Sequence, residues 1–142
     1  MKVTSILQFK KVPVITARPN DMVKHAADRL RMEKIAALVV MEGGTIRGII
    51  SEREIVDGLS RYGAQLLSME IKDLMIDAAT CTPETDIKRV MVIMTQRRTR
   101  HVPVVAEGRL LGIVSIGDVV KHRLQDLELE AGVMRDAYLA SH

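Results

Sequence analysis

The chain repeats itself. Shifted by about 64 residues, positions 15–59 lie on 79–123 without a gap, and about nine of roughly 45 aligned positions are identical. Thr16 falls on Thr80, Pro19 on Pro83, Lys24 on Lys88 and Val40 on Val104. Gly44 then meets Gly108, Gly48 meets Gly112, Ile49 meets Ile113, Ser51 meets Ser115 and Val56 meets Val120. Two glycines, a proline and a serine held in one register are a structural unit copied twice. Each copy has about 50 residues and buries too little surface to be stable alone, so the two must pack together.

Both copies have the same pattern. A short extended piece (14–17; 79–82) stops at Pro19 or Pro83. A helix follows, with Met22, Val23, Ala26, Ala27 and Leu30 on one face, or Ile87, Val90, Met91 and Met94 in the second copy. Apolar Val-rich runs at 35–41 and 101–105 are expected as buried strands. Glu42-Gly43-Gly44 and Glu107-Gly108 are turn signals, because glycine supplies positive φ. Second strands cover 45–50 and 109–114, and helices start at Ser51 and Ser115. The expected class is α/β (α+β), with two β-α-β-β-α repeats packed in pseudo-twofold fashion. The boundaries are 10–64 for the first repeat, 65–76 for a linking helix, 77–125 for the second repeat and 126–142 for a C-terminal helix or tail ending near Tyr138.

Composition narrows the chemistry. Of 142 residues, 47% are hydrophobic, yet the aromatics are Phe9, Tyr62 and Tyr138 alone. The core must therefore be aliphatic, and stacked aromatic platforms for single-stranded nucleic acid are absent. Net charge is +3 with signs interspersed, which suits small anions better than a dedicated DNA surface. A single cysteine, Cys81, excludes an internal disulfide and a cysteine-based zinc knuckle. No apolar run reaches the roughly 18 to 20 residues that span a bilayer, and MKVTSILQFK lacks the long apolar segment of a signal peptide. The expectation is a cytoplasmic protein with no membrane partner.

The doubled motifs, Gly48-Ile49-Ile50-Ser51-Glu52-Arg53-Glu54 and Gly112-Ile113-Val114-Ser115-Ile116-Gly117-Asp118, together with Arg100-His101-Val102-Pro103-Val104, resemble a tandem pair of CBS domains. The resemblance covers roughly residues 10–125. It implies a disc-like Bateman module with two clefts between paired sheets. In the family such clefts take adenine-containing ligands, here AMP, ATP or NAD(H), or S-adenosylmethionine. It also implies an energy or redox sensor that forms a homodimer and acts on a regulated protein not identifiable from the sequence.

Ser51 and Ser115 each precede a helix. Their hydroxyls suit N-caps, Ser51 with Glu54 as a capping box, and a helix N-terminus also suits phosphate. The resemblance makes Asp118 the acceptor for ribose hydroxyls, with Gly117 beside it. Glu54 stands where the family carries Asp, which implies that the two clefts differ. Arg53 is placed for bidentate phosphate binding or as a solvated side chain. Arg97, Arg98, Arg100 and His101 form a basic cluster fit for a helix C-terminus, a polyphosphate or RNA. By resemblance Thr16 and Thr80 line the clefts, and Ala37, Leu38, Val102 and Pro103 form an aliphatic sandwich for the base. Each of these residues also reads as ordinary strand or core.

No catalytic centre is legible. The four histidines lack metal spacing, and there is no P-loop, G-x-G-x-x-G or G-x-S-x-G. The expected function is non-enzymatic nucleotide sensing, without a catalytic cofactor. The alternatives are a ligand-independent dimerisation or protein-interaction module and, behind it, an RNA-binding regulator using the arginine cluster.

Overall fold

The computed structural model describes residues 1–10 and 13–141. The first repeat contains β1 (Thr16–Ala17), α2 (Val23–Glu33), β2 (Ala37–Glu42), β3 (Thr45–Ser51) and α3 (Glu52–Tyr62), preceded by α1 (Val3–Phe9). The second contains α4 (Ile87–Arg97), β4 (His101–Ala106), β5 (Arg109–Ser115) and α5 (Ile116–Ala140). β1 pairs parallel with β2, and β2 antiparallel with β3. β4 and β5 form the matching antiparallel pair.

The copies agree in fine detail. Register shifts fall between Val40 and Met41 and between Val104 and Val105, at equivalent positions. The hairpin turns carry positive φ at Gly43 and Gly44, and at Glu107 and Gly108. Both α2 and α4 end on a left-handed residue, Lys34 at φ 56° and Arg98 at φ 50°. Identical backbone conformations on different side chains mean that the topology, not the local residue, imposes them.

The extended pieces diverge. Thr16 and Ala17 form a short strand, whereas 79–82 contributes a single bridge, Cys81 to Val104. Pro103 explains the loss. Its carbonyl accepts from Cys81 N–H at 3.0 Å, so its nitrogen faces the same edge, and proline has no hydrogen to donate there. Val39 occupies the equivalent place in the first repeat and keeps its N–H.

Each repeat has its own core. Ala26, Leu30, Leu38, Val40, Ile50 and Ile71 fill the first. Val90, Met94, Val102, Val104, Val114 and Val119 fill most of the second, with Val3 and Ile6 of α1. The lead-in to each repeat thus packs on the other. Ile71 N–H donates to Asp21 O, and Val23 N–H to Met69 O. Val3 N–H donates to Thr85 O, and Ile87 N–H to Met1 O, which is the same pattern on the other side. This exchange fastens two marginal units into one body.

Three expectations are corrected. Residues 65–76 are not one helix but two short 3-10 segments, Gly63–Ser68 and Ile71–Asp73, because Leu66 and Ile71 must both turn inward within a few residues of Gly63 at φ 57°. The C-terminal helix does not begin near 126; α5 is continuous from Ile116, since nothing between the two parts breaks it. The structure also adds α1, ahead of the expected boundary at residue 10. On α2, Val23, Ala26 and Leu30 are buried as read, while Met22 becomes the exposed N-cap. His142 lies outside the described residues.

Candidate functional site

Two of the clefts between the repeats adjoin. The first, of about 460 Å³, is largely aliphatic: Leu7, Pro13, Val14, Ile15, Ile35, Ala36, Ala37, Leu111 and Ile113 line it, with Lys10, Lys34, Glu33, His101 and Ser115 at its polar side. The second, of about 510 Å³, is lined by Ser51, Glu52, Arg53, Glu54, Arg98, Thr99, Arg100, Ile116 and Gly117. Ala36, His101 and Ser115 line both, so the clefts share a wall. Both volumes fall within the roughly 300–1,000 Å³ of small-molecule sites.

Ser115, on the shared wall, closes a capping box with Asp118 at the N-terminus of α5. Ser115 Oγ accepts from Asp118 N–H at 3.1 Å, and Asp118 Oδ2 accepts from Ser115 N–H at 2.9 Å. Lys10 Nζ donates to the same Oδ2 at 2.7 Å. Burial pushes the Asp118 carboxyl up, but the hydrogen bonds from Lys10 and Ser115 and the Lys10 charge outweigh it, and the group is held below its ordinary value. Both bonds end on Oδ2.

The equivalent corner at α3 is wired differently. Glu54 Oε1 accepts from Ser51 N–H at 2.8 Å and from the Ser51 hydroxyl at 2.7 Å, while Ser51 Oγ accepts from Arg53 N–H at 3.3 Å. Glu54 and Asp118 thus both close a capping box on their own serine, but only Asp118 also accepts from Lys10. Arg53 Nη1 donates to Arg98 O at 2.8 Å. That bond satisfies a carbonyl at the end of α4 and ties α3 of one repeat to α4 of the other. His101, half-buried on the shared wall, is pushed below its ordinary value by burial first and by Lys10 second.

The residues read from the sequence separate into groups. Ala37, His101 and Ser115 line the aliphatic cleft. Ser51, Arg53, Glu54, Arg100, His101, Ser115 and Gly117 line the arginine-bearing one. Asp118 lines neither cleft; it accepts from Lys10, which lines the first, and faces a separate pocket with Lys121 and His122. Leu38, Val102 and Pro103 are buried in the strands, and Thr16 and Thr80 are exposed; none of these five lines either cleft. Sequence reading missed Leu7, Lys10, Pro13 and Val14, which lie ahead of the aligned repeat, and Ile15, which opens it. It also missed Leu111 and Ile113, whose outward alternation on β5 was the available signal.

Among the described residues, no helix is long and apolar enough to cross a membrane, and no group of histidine, cysteine or acidic side chains is placed to hold a metal ion.

Two fused β-α-β-β-α units with clefts along their junction define a tandem-repeat module. The CBS domain family matches the chain twice, over residues 8–61 and 71–125, and the chain belongs to that family as a tandem CBS pair. The crystal structure of the CBS-domain protein ATU1752 from Agrobacterium tumefaciens is similar at a TM-score of 0.83 and 38% identity, covering 87% of this chain and 99% of that one. The CBS domain-containing protein CBSX3, mitochondrial, of Arabidopsis thaliana is 36% identical over 108 residues, 72% of this chain; the chain spans only 52% of its length. The CBS domain pair of protein MJ0100, solved in complex with 5-methylthioadenosine and S-adenosyl-L-methionine, has a TM-score of 0.78 and 26% identity over 89% of this chain and 98% of that one.

Proposed function

We propose that this CBS pair is a non-catalytic sensor of an adenine nucleotide of the AMP, ATP or NAD(H) type. The observation that carries the reading is the shared wall: an aliphatic cleft and an arginine-bearing cleft meet at His101 and Ser115. The adenine ring suits the first, between Ile15, Ala37 and Ile113, where a chain this poor in aromatics offers only aliphatic packing. The ribose hydroxyls suit Asp118 Oδ1, since a carboxylate is an acceptor on both oxygens. The phosphates then point along the α5 N-terminus toward Arg98 and Arg100. The adenosyl ligands bound by the similar MJ0100 pair support the adenosine part of this reading.

Ligand held between the repeats shifts whatever equilibrium exists between their relative positions, by no more than its differential affinity for the two states. The test is thermal unfolding of the whole chain with AMP, ADP, ATP, NAD, NADH and S-adenosylmethionine. A ligand of the native state stabilises it by about 2.7 kcal/mol at 100-fold excess over its dissociation constant. A shift with one or two members identifies the signal. No shift across the panel at millimolar ligand removes the nucleotide reading and leaves an assembly module.

A further inference from the structure

A pocket of about 280 Å³ lies between α1 and α5 and shares only Lys10 with the two clefts. Ile6, Phe9 and Lys10 line one side, and Asp118, Lys121, His122 and Gln125 of α5 line the other. The first repeat has a counterpart along α3, where Glu54, Asp57, Arg61 and Leu74 are among the lining residues. Under the 64-residue shift Glu54 falls on Asp118, Asp57 on Lys121, Gly58 on His122 and Arg61 on Gln125. Each copy is therefore a control for the other.

The first copy is self-contained at this place. Asp57 pairs with Arg61 at 3.1 Å, one turn along the helix. A Cβ at Gly58 would stand 2.8 Å from Leu66 Cδ1 and 3.0 Å from Leu74 Cδ2, so hydrocarbon fills the space beside it. The second copy replaces both features with polar groups that the chain does not answer. His122 is 8% exposed, and its Nε2 is buried without a hydrogen-bond partner. Leucine could fill such a space, whereas a ring nitrogen stripped of water and left unpaired costs free energy. Among the described residues Lys121 takes part in no ion pair. Lys10 and Asp118 neutralise each other at 2.7 Å, so Lys121 is the uncompensated charge among the described lining residues.

That arrangement suits a single negative charge. Gln125, one turn on from Lys121, adds an amide donor, and Ile6 and the 82% exposed Phe9 offer an apolar seat. The volume lies just under the roughly 300 Å³ at which drug-sized sites begin, which fits an occupant smaller than a nucleotide. A doubly charged phosphate would meet the Asp118 carboxylate and leave the apolar seat unused. We propose that the α1–α5 pocket binds a small organic monocarboxylate. Its oxygens accept from Lys121 Nζ and His122 Nε2, and its short apolar body rests on Ile6 and Phe9.

The proposal does not rest on nucleotide binding and is tested on the full chain without nucleotide. The probe is sodium butyrate at constant ionic strength, followed through the NMR signals of the His122 ring and of Phe9, the chain's single phenylalanine. Saturable shifts are expected, and none with sodium chloride. Lys121→Met is expected to weaken binding about tenfold, the loss of one charge-assisted hydrogen bond. His122→Leu is expected to abolish it while melting no lower than the wild type, because leucine already fills the space beside Gly58. Shifts that rise linearly into the tens of millimolar, or that chloride reproduces, overturn the site. Binding undiminished in Lys121→Met overturns it too, and Lys121 is exposed, so that result does not depend on how His122→Leu folds. Saturation by inorganic phosphate but not by butyrate overturns the ligand class.

Discussion

Lys10 Nζ lies 2.7 Å from Asp118 Oδ2 and 2.9 Å from Ile113 O. In the first repeat the matching carbonyl, Ile49 O, accepts from Ile76 N–H at 3.0 Å. A lysine ammonium therefore takes on the second repeat the place that a backbone N–H takes on the first. It also pairs with the Asp118 carboxylate, which itself lines neither cleft, while Lys10 lines the aliphatic one. The two clefts, alike in topology, are thereby made chemically unlike.

Lys10→Met removes that ammonium while keeping most of the side chain's packing. The pair is partly exposed, so the expected cost is about 1 kcal/mol of unfolding free energy. The carboxyl should respond too. Asp118 is held below its ordinary 3.8, so its contribution is present above that value and is lost as pH falls through the folded-state pKa. Without Lys10 that loss should begin at higher pH. Carbon-13 NMR titration of the Asp118 carboxyl, with urea unfolding beside it, reads both effects. An unchanged titration midpoint would mean that the ammonium is not seated on Asp118 in solution.

Gly48 and Gly112 are equivalent glycines with unequal tolerance. A Cβ at Gly48 would stand 2.6 Å from Ile76 O, a backbone atom held by its bridge to Ile49. A Cβ at Gly112 would meet Leu7 Cδ2 at 2.8 Å, the end of a flexible side chain. Gly48→Ala is expected to cost about 2–3 kcal/mol, as overpacking against fixed atoms does, and Gly112→Ala about 1 kcal/mol or less as Leu7 rotates. Urea unfolding midpoints of the two variants give the comparison. Equal losses would mean that α1 is held as rigidly as the Ile76 bridge.

Much of the architecture was written in the repeat. The paired glycines, the two serines and the Val-rich runs give the hairpins, the caps and the strand order, because each obeys a local rule of φ, capping or alternation. The exchange of lead-ins was not legible. The backbone contacts of residues 1–4 match those of 69–72, a shift of about 68 residues, so they fall out of register with the 64-residue repeat. Lys10 lies in that lead-in, and no local rule points a lysine at a carboxylate more than a hundred residues away. At the clefts, the resemblance grouped Ala37 with Leu38, Val102 and Pro103, and of these four the structure brings only Ala37 to a cleft. Alternation along the strands is what sends the neighbouring Leu38 and Val102 into the core, and a motif read as a continuous run does not record it.

Ser51→Ala and Ser115→Ala separate capping from ligand binding. Each hydroxyl accepts from a first-turn N–H of its helix, and each loss is expected to cost about 1 kcal/mol. The responses to ligand should differ. Ser115 lines both clefts, whereas the Ser51 hydroxyl is committed to Glu54. Nucleotide-induced stabilisation should fall sharply in Ser115→Ala and survive in Ser51→Ala. Equal falls would remove the asymmetric use of the clefts.

His101 gives the wall between the clefts a pH dependence of definite sign. Its folded-state pKa lies below the ordinary 6.5, driven first by burial and next by Lys10. Between those two values the unfolded chain binds more protons than the folded one, so stability rises with pH and levels off above 6.5. Below the folded-state value His101 is charged in both states and its contribution is flat again. Glu52 and Glu54, which raise its pKa, and Arg100, which lowers it, face the same ring but do not reverse the sign. A phosphate bound at this wall favours imidazolium, so nucleotide affinity should increase as pH falls while unliganded stability decreases. Urea unfolding and nucleotide titration across about pH 5 to 8, for the wild type and His101→Gln, read the two trends. The variant should flatten both. A stability slope unchanged in His101→Gln would remove His101 as its source, and an affinity slope unchanged there would move the phosphates away from this wall.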